Sequence, residues 1–166
     1  MANVTIQDMM LCRENRANLQ TSLLRQFPEN PVLSFCMNIP GPVKTDEEIR
    51  SAFEVGKKEI LSVISERNWG IEKDYEIHEK TGDEWLASIR AKPSTLKDAM
   101  CDVEENHPLG RIYDIDIIAP DGQKLSRPNF RTCLLCGRQA QDCARSRRHS
   151  AAELFARTKQ LIREGL

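Results

Sequence analysis

IEKDYEIHEKTGDEWLASIR, residues 71–90, reads as a β-hairpin, and the fold follows from what lies on either side of it. Ile71, Lys73, Tyr75 and Ile77 alternate with Glu72, Asp74, Glu76 and His78, the period-two pattern of a half-exposed strand. Lys80-Thr81-Gly82-Asp83 carries turn residues. Residues 84–90 then return with Trp85, Ala87 and Ile89 on one face.

Upstream, residues 32–39 are short and almost continuously apolar, which predicts a central strand buried on both faces. Pro40-Gly41-Pro42 ends it, and a helix is expected over 46–68 with Ile49, Phe53, Gly56, Ile60 and Ile64 along one side. Downstream, Leu96, Ala99, Met100 and Val103 mark a second core helix ending near His107-Pro108, followed by a strand over 111–118. The order over 32–118 is strand, helix, strand, strand, helix, strand. This predicts an α+β fold, a ferredoxin-like βαββαβ sandwich. Met9, Cys12, Arg16, Leu19, Leu23 and Phe27 add an N-terminal helix over 6–27. Pro120-Asp121-Gly122 predicts a turn into a short return strand near 123–126. A Cys- and Arg-rich loop over 127–150 and a helix over 151–165 complete a single domain, 1–166.

The bulk numbers narrow the function classes. A 166-residue chain with 40% hydrophobic and 30% charged residues suits one globular domain. No apolar run approaches the roughly 20 residues of a membrane span. Without a recognisable signal peptide, six cysteines predict thiols or metal ligands in a reducing cytoplasm, not disulfides. Cys12, Cys36 and Cys101, scattered among apolar neighbours, are expected to serve as small core residues. The formal charge of −1 hides an asymmetry: residues 1–123 hold 14 basic and 22 acidic side chains, whereas 124–166 hold 10 basic and 3 acidic. A basic C-terminal third predicts a polyanionic ligand or an acidic partner.

Three groups of residues carry chemistry. Asp114 and Asp116 stand two apart in an otherwise apolar run, so a strand points both to one face. Burying unpaired carboxylates is costly, and a shared cation removes that cost. Oxygen-only ligands favour Mg²⁺ or Mn²⁺, with waters and substrate phosphates filling the shell. Lys44, after the Pro40-Gly41-Pro42 break, stands at a helix entry suited to an anion. His107, before the acidic strand, is a candidate base. Arg111, Arg127 and Arg145 are candidate phosphate contacts, because a guanidinium binds phosphate through two parallel hydrogen bonds. Cys133, Cys136, Cys143 and His149 have the number and type of ligands for a structural, closed tetrahedral Zn²⁺. No Gly-x-Gly-x-x-Gly and no Walker loop occurs, which excludes those nucleotide folds. A zinc-knuckle module binding nucleic acid is a rival reading, but few aromatic residues accompany the arginines, so no nucleic-acid partner is expected.

The ordered set His107-Pro-Leu-Gly-Arg-Ile-Tyr-Asp-Ile-Asp116, Ser126-Arg127, Arg131-Thr-Cys-Leu-Leu-Cys136 and Cys143-Ala-Arg-Ser-Arg-Arg-His149 resembles the apo-citrate lyase phosphoribosyl-dephospho-CoA transferase family. The likeness extends upstream through Arg13-Glu14-x-Arg16 and Phe35…Pro40-Gly41-Pro42…Lys44. The resemblance implies a holo-acyl-carrier-protein synthase whose donor is 2′-(5″-triphosphoribosyl)-3′-dephospho-CoA. Its acceptor would be a serine on the acyl carrier (gamma) subunit of citrate lyase, with pyrophosphate leaving. In that reading Asp114 and Asp116 hold the metal, Arg111, Lys44 and Arg127 or Arg145 bind the triphosphate, and His107 takes the serine proton. The equivalent transferase acting on the malonate decarboxylase carrier is the neighbouring alternative.

Overall fold

In a computed structural model describing residues 2–166, a four-stranded antiparallel sheet is packed with five helices. The strands are β1 (Val32–Met37), β2 (Gly70–Glu79), β3 (Gly82–Arg90) and β4 (Tyr113–Ile118). Their order is β2-β3-β1-β4, so β3 and β1 are central and the edges are β2 and β4. The expected hairpin is β2–β3. Its turn is Lys80-Thr81 into Gly82, whose φ of +126° lies in a region that side-chain-bearing residues avoid.

Side chains alternate across the sheet, and the two faces receive different helices. Leu33 and Phe35 of β1, Trp85, Ala87 and Ile89 of β3, and Tyr113, Ile115 and Ile117 of β4 face α2 (Glu47–Glu66) and α3 (Pro93–Asn106). Helix α2 brings Ile49, Ala52, Phe53, Gly56, Ile60 and Ile64 at three- and four-residue steps, each buried. At about 25 cal/mol per Å², each large aliphatic side chain buried here is worth roughly 2 kcal/mol. Phe35 stacks on Phe53 with centroids 5.0 Å apart, and Tyr113 meets Phe35 edge-on at 5.4 Å. Gly56 makes this possible. A Cβ there would lie 2.7 Å from Tyr113 Cζ and 2.8 Å from Phe35 Cζ.

The opposite face carries α1 (Ile6–Gln26), started by a Thr5/Asp8 capping box. Leu23 packs on Val32, Leu86 and Ile118. Further back along α1 the contacts turn polar: Gln20 donates to Ser34 Oγ at 3.1 Å and Arg16 pairs with Glu84. The C-terminal helix α5 (Ala151–Gly165) buries Ile162 in the main core. It is tied to the start of α2 by Lys159 to Asp46 at 2.6 Å and Arg163 to Glu48 at 3.0 Å.

Three local expectations are corrected. The last strand begins at Tyr113 and not at residue 111, because Gly110–Ile112 forms a 3₁₀ turn pressed against the carbonyls of Val103 and Glu104. The return strand near 123–126 is reduced to a single bridge between Ile118 and Lys124. The Cys-rich segment, read as loop, contains a short helix, α4 (Ala140–Ser146). No helix is long and apolar enough to cross a membrane among the described residues.

Candidate active site and metal centre

Strand register assembles the first site. Across the sheet, Glu84 of β3 and Asp114 of β4 both lie opposite Cys36 of β1, and Asp116 lies opposite Ser34. Period-two alternation puts all of these on the α1 face. There, Arg13 and Arg16 of α1, Lys44, Cys36, Glu84 and Asp114 line a cleft of about 160 Å³. Three cations thus share the cleft with three carboxylates, Asp83, Glu84 and Asp114.

The charges are unequally satisfied. Arg16 is held by Glu84, which also lies 3.6 Å from Cys12 Sγ. Asp83, at the cleft margin, is occupied by Arg50 at 2.6 Å, His78 Nδ1 at 2.7 Å and the Thr45 hydroxyl at 3.0 Å. Lys44 Nζ donates to the Ile39 carbonyl at 2.6 Å; burial, and then Arg13, lowers its pKa. Arg13 makes no ion pair among the described residues. Two cations therefore face the cleft without a carboxylate of their own, the arrangement an anionic ligand relieves.

Asp114 is the complementary group. Burial, and then the neighbouring Asp116 charge, raises its pKa above the ordinary carboxylate value. Among the described residues its one side-chain neighbour at hydrogen-bonding range is Cys36 Sγ, at 3.9 Å. Asp116 is neutralised by Lys124 at 3.0 Å. No group of three potential ligands in mutual reach contains Asp114 or Asp116 among the described residues. Asp114 and Asp116 thus share one face of β4, but only Asp114 lines the cleft and only Asp116 has a cationic partner among the described residues.

The other residues singled out from the sequence lie elsewhere. His107 caps α3: its Nδ1 accepts from the Leu109 N–H at 3.0 Å, and its ring packs on Tyr113 at 5.2 Å. Tyr113 faces α2, donating its hydroxyl to the Ala52 carbonyl at 3.2 Å, so His107 lies across the sheet from Asp114. Arg127 is committed to Glu104 at 3.5 Å and Glu105 at 3.7 Å. Arg145 is exposed on α4 and lines neither cleft described here. Arg111 donates Nε to the Thr132 carbonyl at 2.6 Å and lines a second cleft. Cys36, expected in the core, instead lines the first cleft, where burial pushes its thiol up to about 12.

Glu104 explains the diversion of Arg127. It is 6% exposed, accepts the Ile115 N–H at 3.1 Å and lies 3.7 Å from Arg131. Arg131 in turn donates to the Tyr113 and Gly110 carbonyls, both at 2.6 Å, clamping the following segment to β4. Glu104 was legible in principle: it stands four residues after Met100 and eight after Leu96, on the buried stripe of α3. Arg16 was likewise legible as a charge within the apolar stripe of α1.

The Cys-rich segment forms a second centre. Cys133, Cys136, Cys143 and His149 bring their sulfur and nitrogen atoms to within 4.8 Å of one another. Cys136 and Cys143 sulfurs are 3.4 Å apart. The first pair sits on a tight turn: Gly137, φ +72°, lets its N–H reach the Cys133 carbonyl at 3.3 Å, and Cys133 N–H reaches the Arg138 carbonyl at 2.6 Å. Helix α4 supplies Cys143, and the approach to α5 supplies His149. His149 Nε2 is buried without a hydrogen-bond partner, a cost that a metal bond removes. Burial and the neighbouring sulfurs push the Cys143 thiol up, whereas backbone N–H groups and the same sulfurs hold the Cys133 thiol below its ordinary value. Three sulfurs and one imidazole fit a structural zinc.

A model of the apo-citrate lyase phosphoribosyl-dephospho-CoA transferase family matches residues 4–165, nearly the whole chain. The chain belongs to that family. A relative of the same name from Escherichia coli O7:K1 is 34% identical over 165 residues, covering 97% of this chain and 90% of its own length. One from Citrobacter koseri is 33% identical with the same coverage. The family match spans both centres, the cleft at Asp114 and the Cys/His cluster.

Proposed function

We propose that this chain transfers the phosphoribosyl-dephospho-CoA group from 2′-(5″-triphosphoribosyl)-3′-dephospho-CoA to a serine of the acyl carrier (gamma) subunit of citrate lyase. The serine oxygen forms a bond to the phosphorus nearest the ribose, the bond to the departing pyrophosphate breaks, and a phosphodiester results. The observation that carries this reading is the cleft in which Arg13 and Lys44, without carboxylate partners, face Asp114 at the edge of the sheet.

The residues divide the work. Asp114 and Asp116 would hold Mg²⁺ or Mn²⁺, which when bound supplies charge neutralisation at the attacked phosphate. Lys44, anchored to the Ile39 carbonyl, and Arg13 screen the triphosphate and remain paired with the pyrophosphate as it leaves. Glu84 positions Arg16 at the cleft wall. His107 acts as a helix cap and packing partner of Tyr113, and the serine proton passes to solvent. We assign Cys133, Cys136, Cys143 and His149 to one structural Zn²⁺. The basic C-terminal third faces the carrier, and electrostatic steering speeds that encounter. The strand order, with β1 and β3 central, supports a ferredoxin-like sandwich in one domain spanning 1–166.

Incubation of the protein with donor and apo-carrier, followed by intact-mass measurement, tests the reading. The citrate lyase carrier gains the mass of the prosthetic group and the malonate decarboxylase carrier does not. Equal labelling of the two carriers, or normal labelling by Asp114→Asn, overturns it.

A further inference from the structure

A second cleft, about 550 Å³, opens between the end of β1 and the Cys-rich segment. Asn38, Pro40, Leu134 and Leu154 line it together with two arginines, Arg111 and Arg147. Asn38 also lines the first cleft, so the two meet where β1 ends. The wall is apolar apart from a few polar groups, as in sites for elongated organic ligands.

The arginines around this cleft fall into two groups. Arg127, Arg131, Arg157 and Arg163 all have carboxylate partners. Arg111 and Arg147 have none among the described residues, although Arg111 is half-buried. Arg138, Arg145 and Arg148, which do not line the cleft, also lack carboxylate partners among the described residues. Burial, and then the nearby Arg131 charge, lowers the Arg111 pKa. Arg147 ends α4 in the left-handed region, φ +48° and ψ +41°. Glycine or asparagine is the usual occupant of such a cap. An arginine there adds strain that its backbone position alone does not justify.

We propose that this cleft is the subsite for the dephospho-CoA arm of the donor. Arg111 and Arg147 engage its diphosphate, and Leu134 and Leu154 pack against the pantetheine chain. The triphosphoribosyl end passes Asn38 into the cleft at Asp114. The assignment rests on the transfer reaction proposed above and adds a place for the larger part of the donor. It also gives the Cys/His cluster a part in recognition: Cys133, Cys143 and His149 border the same cleft, so the ligand set shapes its wall.

Calorimetric titration of the full chain with two probes tests the assignment: 3′-dephospho-CoA for this cleft and inorganic tripolyphosphate for the first. Arg147→Gly and Arg111→Gln are each expected to weaken 3′-dephospho-CoA about 10- to 100-fold, the worth of a charge-assisted hydrogen bond, and to leave tripolyphosphate unchanged. Lys44→Ala is expected to do the reverse. Arg147→Gly also separates binding from folding, because glycine relaxes the left-handed backbone and its melting temperature holds or rises. Failure of 3′-dephospho-CoA to bind the unsubstituted protein, or wild-type affinity in both arginine variants, overturns the subsite. Carrier labelling with an unchanged donor KM in both variants sinks the subsite yet spares the transfer reaction, whereas absent labelling by the unsubstituted protein sinks the reaction itself.

Discussion

Asp114 and Cys143 stand in surroundings ordered by different forces. Around Asp114, the backbone is held by ladder pairing to β1, and the alternate residues Tyr113, Ile115 and Ile117 are buried against α2 and α3. Within residues 127–150, only Cys133 and Cys143 are buried, and the segment is attached through Arg127, Arg131 and Arg111 hydrogen bonds to backbone and carboxylates. Apolar burial positions the cleft at Asp114. A segment with two buried residues has no comparable source of order, and a tetrahedral ligand set supplies one. If the proposed subsite and metal hold, a sheet edge ordered by burial is joined to a small wall ordered by ligand binding.

The sharpest way to break this contrast is metal removal. Structural zinc in small modules is worth on the order of 10 kcal/mol. Chelation, or Cys143→Ser, is expected to strip hydrogen-exchange protection from residues 131–149 while β1, β3 and β4 stay protected. Loss of protection across the sheet as well would show one source of order, not two.

Next in size is Asp114→Asn. Loss of several kcal/mol of charge stabilisation predicts a fall in carrier labelling of about 10³-fold. The folded protein disfavours the charged form of Asp114, so the amide holds or raises the melting temperature. An inactive and destabilised variant would instead make Asp114 part of the framework.

Gly56→Ala attacks the burial side. Its Cβ meets Tyr113 and Phe35 rings that are themselves packed, and overpacking of this kind costs about 1–3 kcal/mol by denaturant unfolding. The Cys/His segment should keep its metal in that variant.

Acidification gives a graded test. Asp114 has a folded pKa above its ordinary value of 3.8. At subsaturating Mg²⁺ the proton competes with the cation for Asp114 as pH falls, and labelling declines by at most about tenfold per pH unit. The stability sign is opposite in metal-free protein: the protonated form contributes stability fully below the unfolded value, and this is lost as pH rises through the folded pKa. Lys124→Ala is the smallest change. Its ion pair with Asp116 is largely exposed on the lysine side and is worth no more than about 1 kcal/mol. Tighter Mg²⁺ binding in that variant would show that Lys124 competes with the cation.

Much of the framework was readable from local pattern. Alternation in 71–78, the turn at Lys80-Thr81, and the three- and four-residue steps of α2 each report which face is dry, and the elements follow. The shared face of Asp114 and Asp116 needed only the period of a strand, and the four metal-type ligands only their proximity in sequence. Helix α4 was hidden because seven residues with one buried side chain carry almost no periodic signal. The side of the sheet on which His107 lands was hidden too. It depends on the 3₁₀ turn at Gly110, which sets the phase of every side chain in β4 relative to the end of α3.

Sequence alone determined the order of the four strands and four longer helices, the apolar stripes and the supply of carboxylates, arginines and thiols, because these depend on chemistry repeating over a few residues. Tertiary structure decided which charges were spent on one another and which were left for ligands. Arg127 was taken by Glu104 while Arg13, Lys44 and Arg147 stayed without carboxylates. Partner choice among charges depends on distances between residues far apart in the chain, and those distances exist only once the sheet has formed.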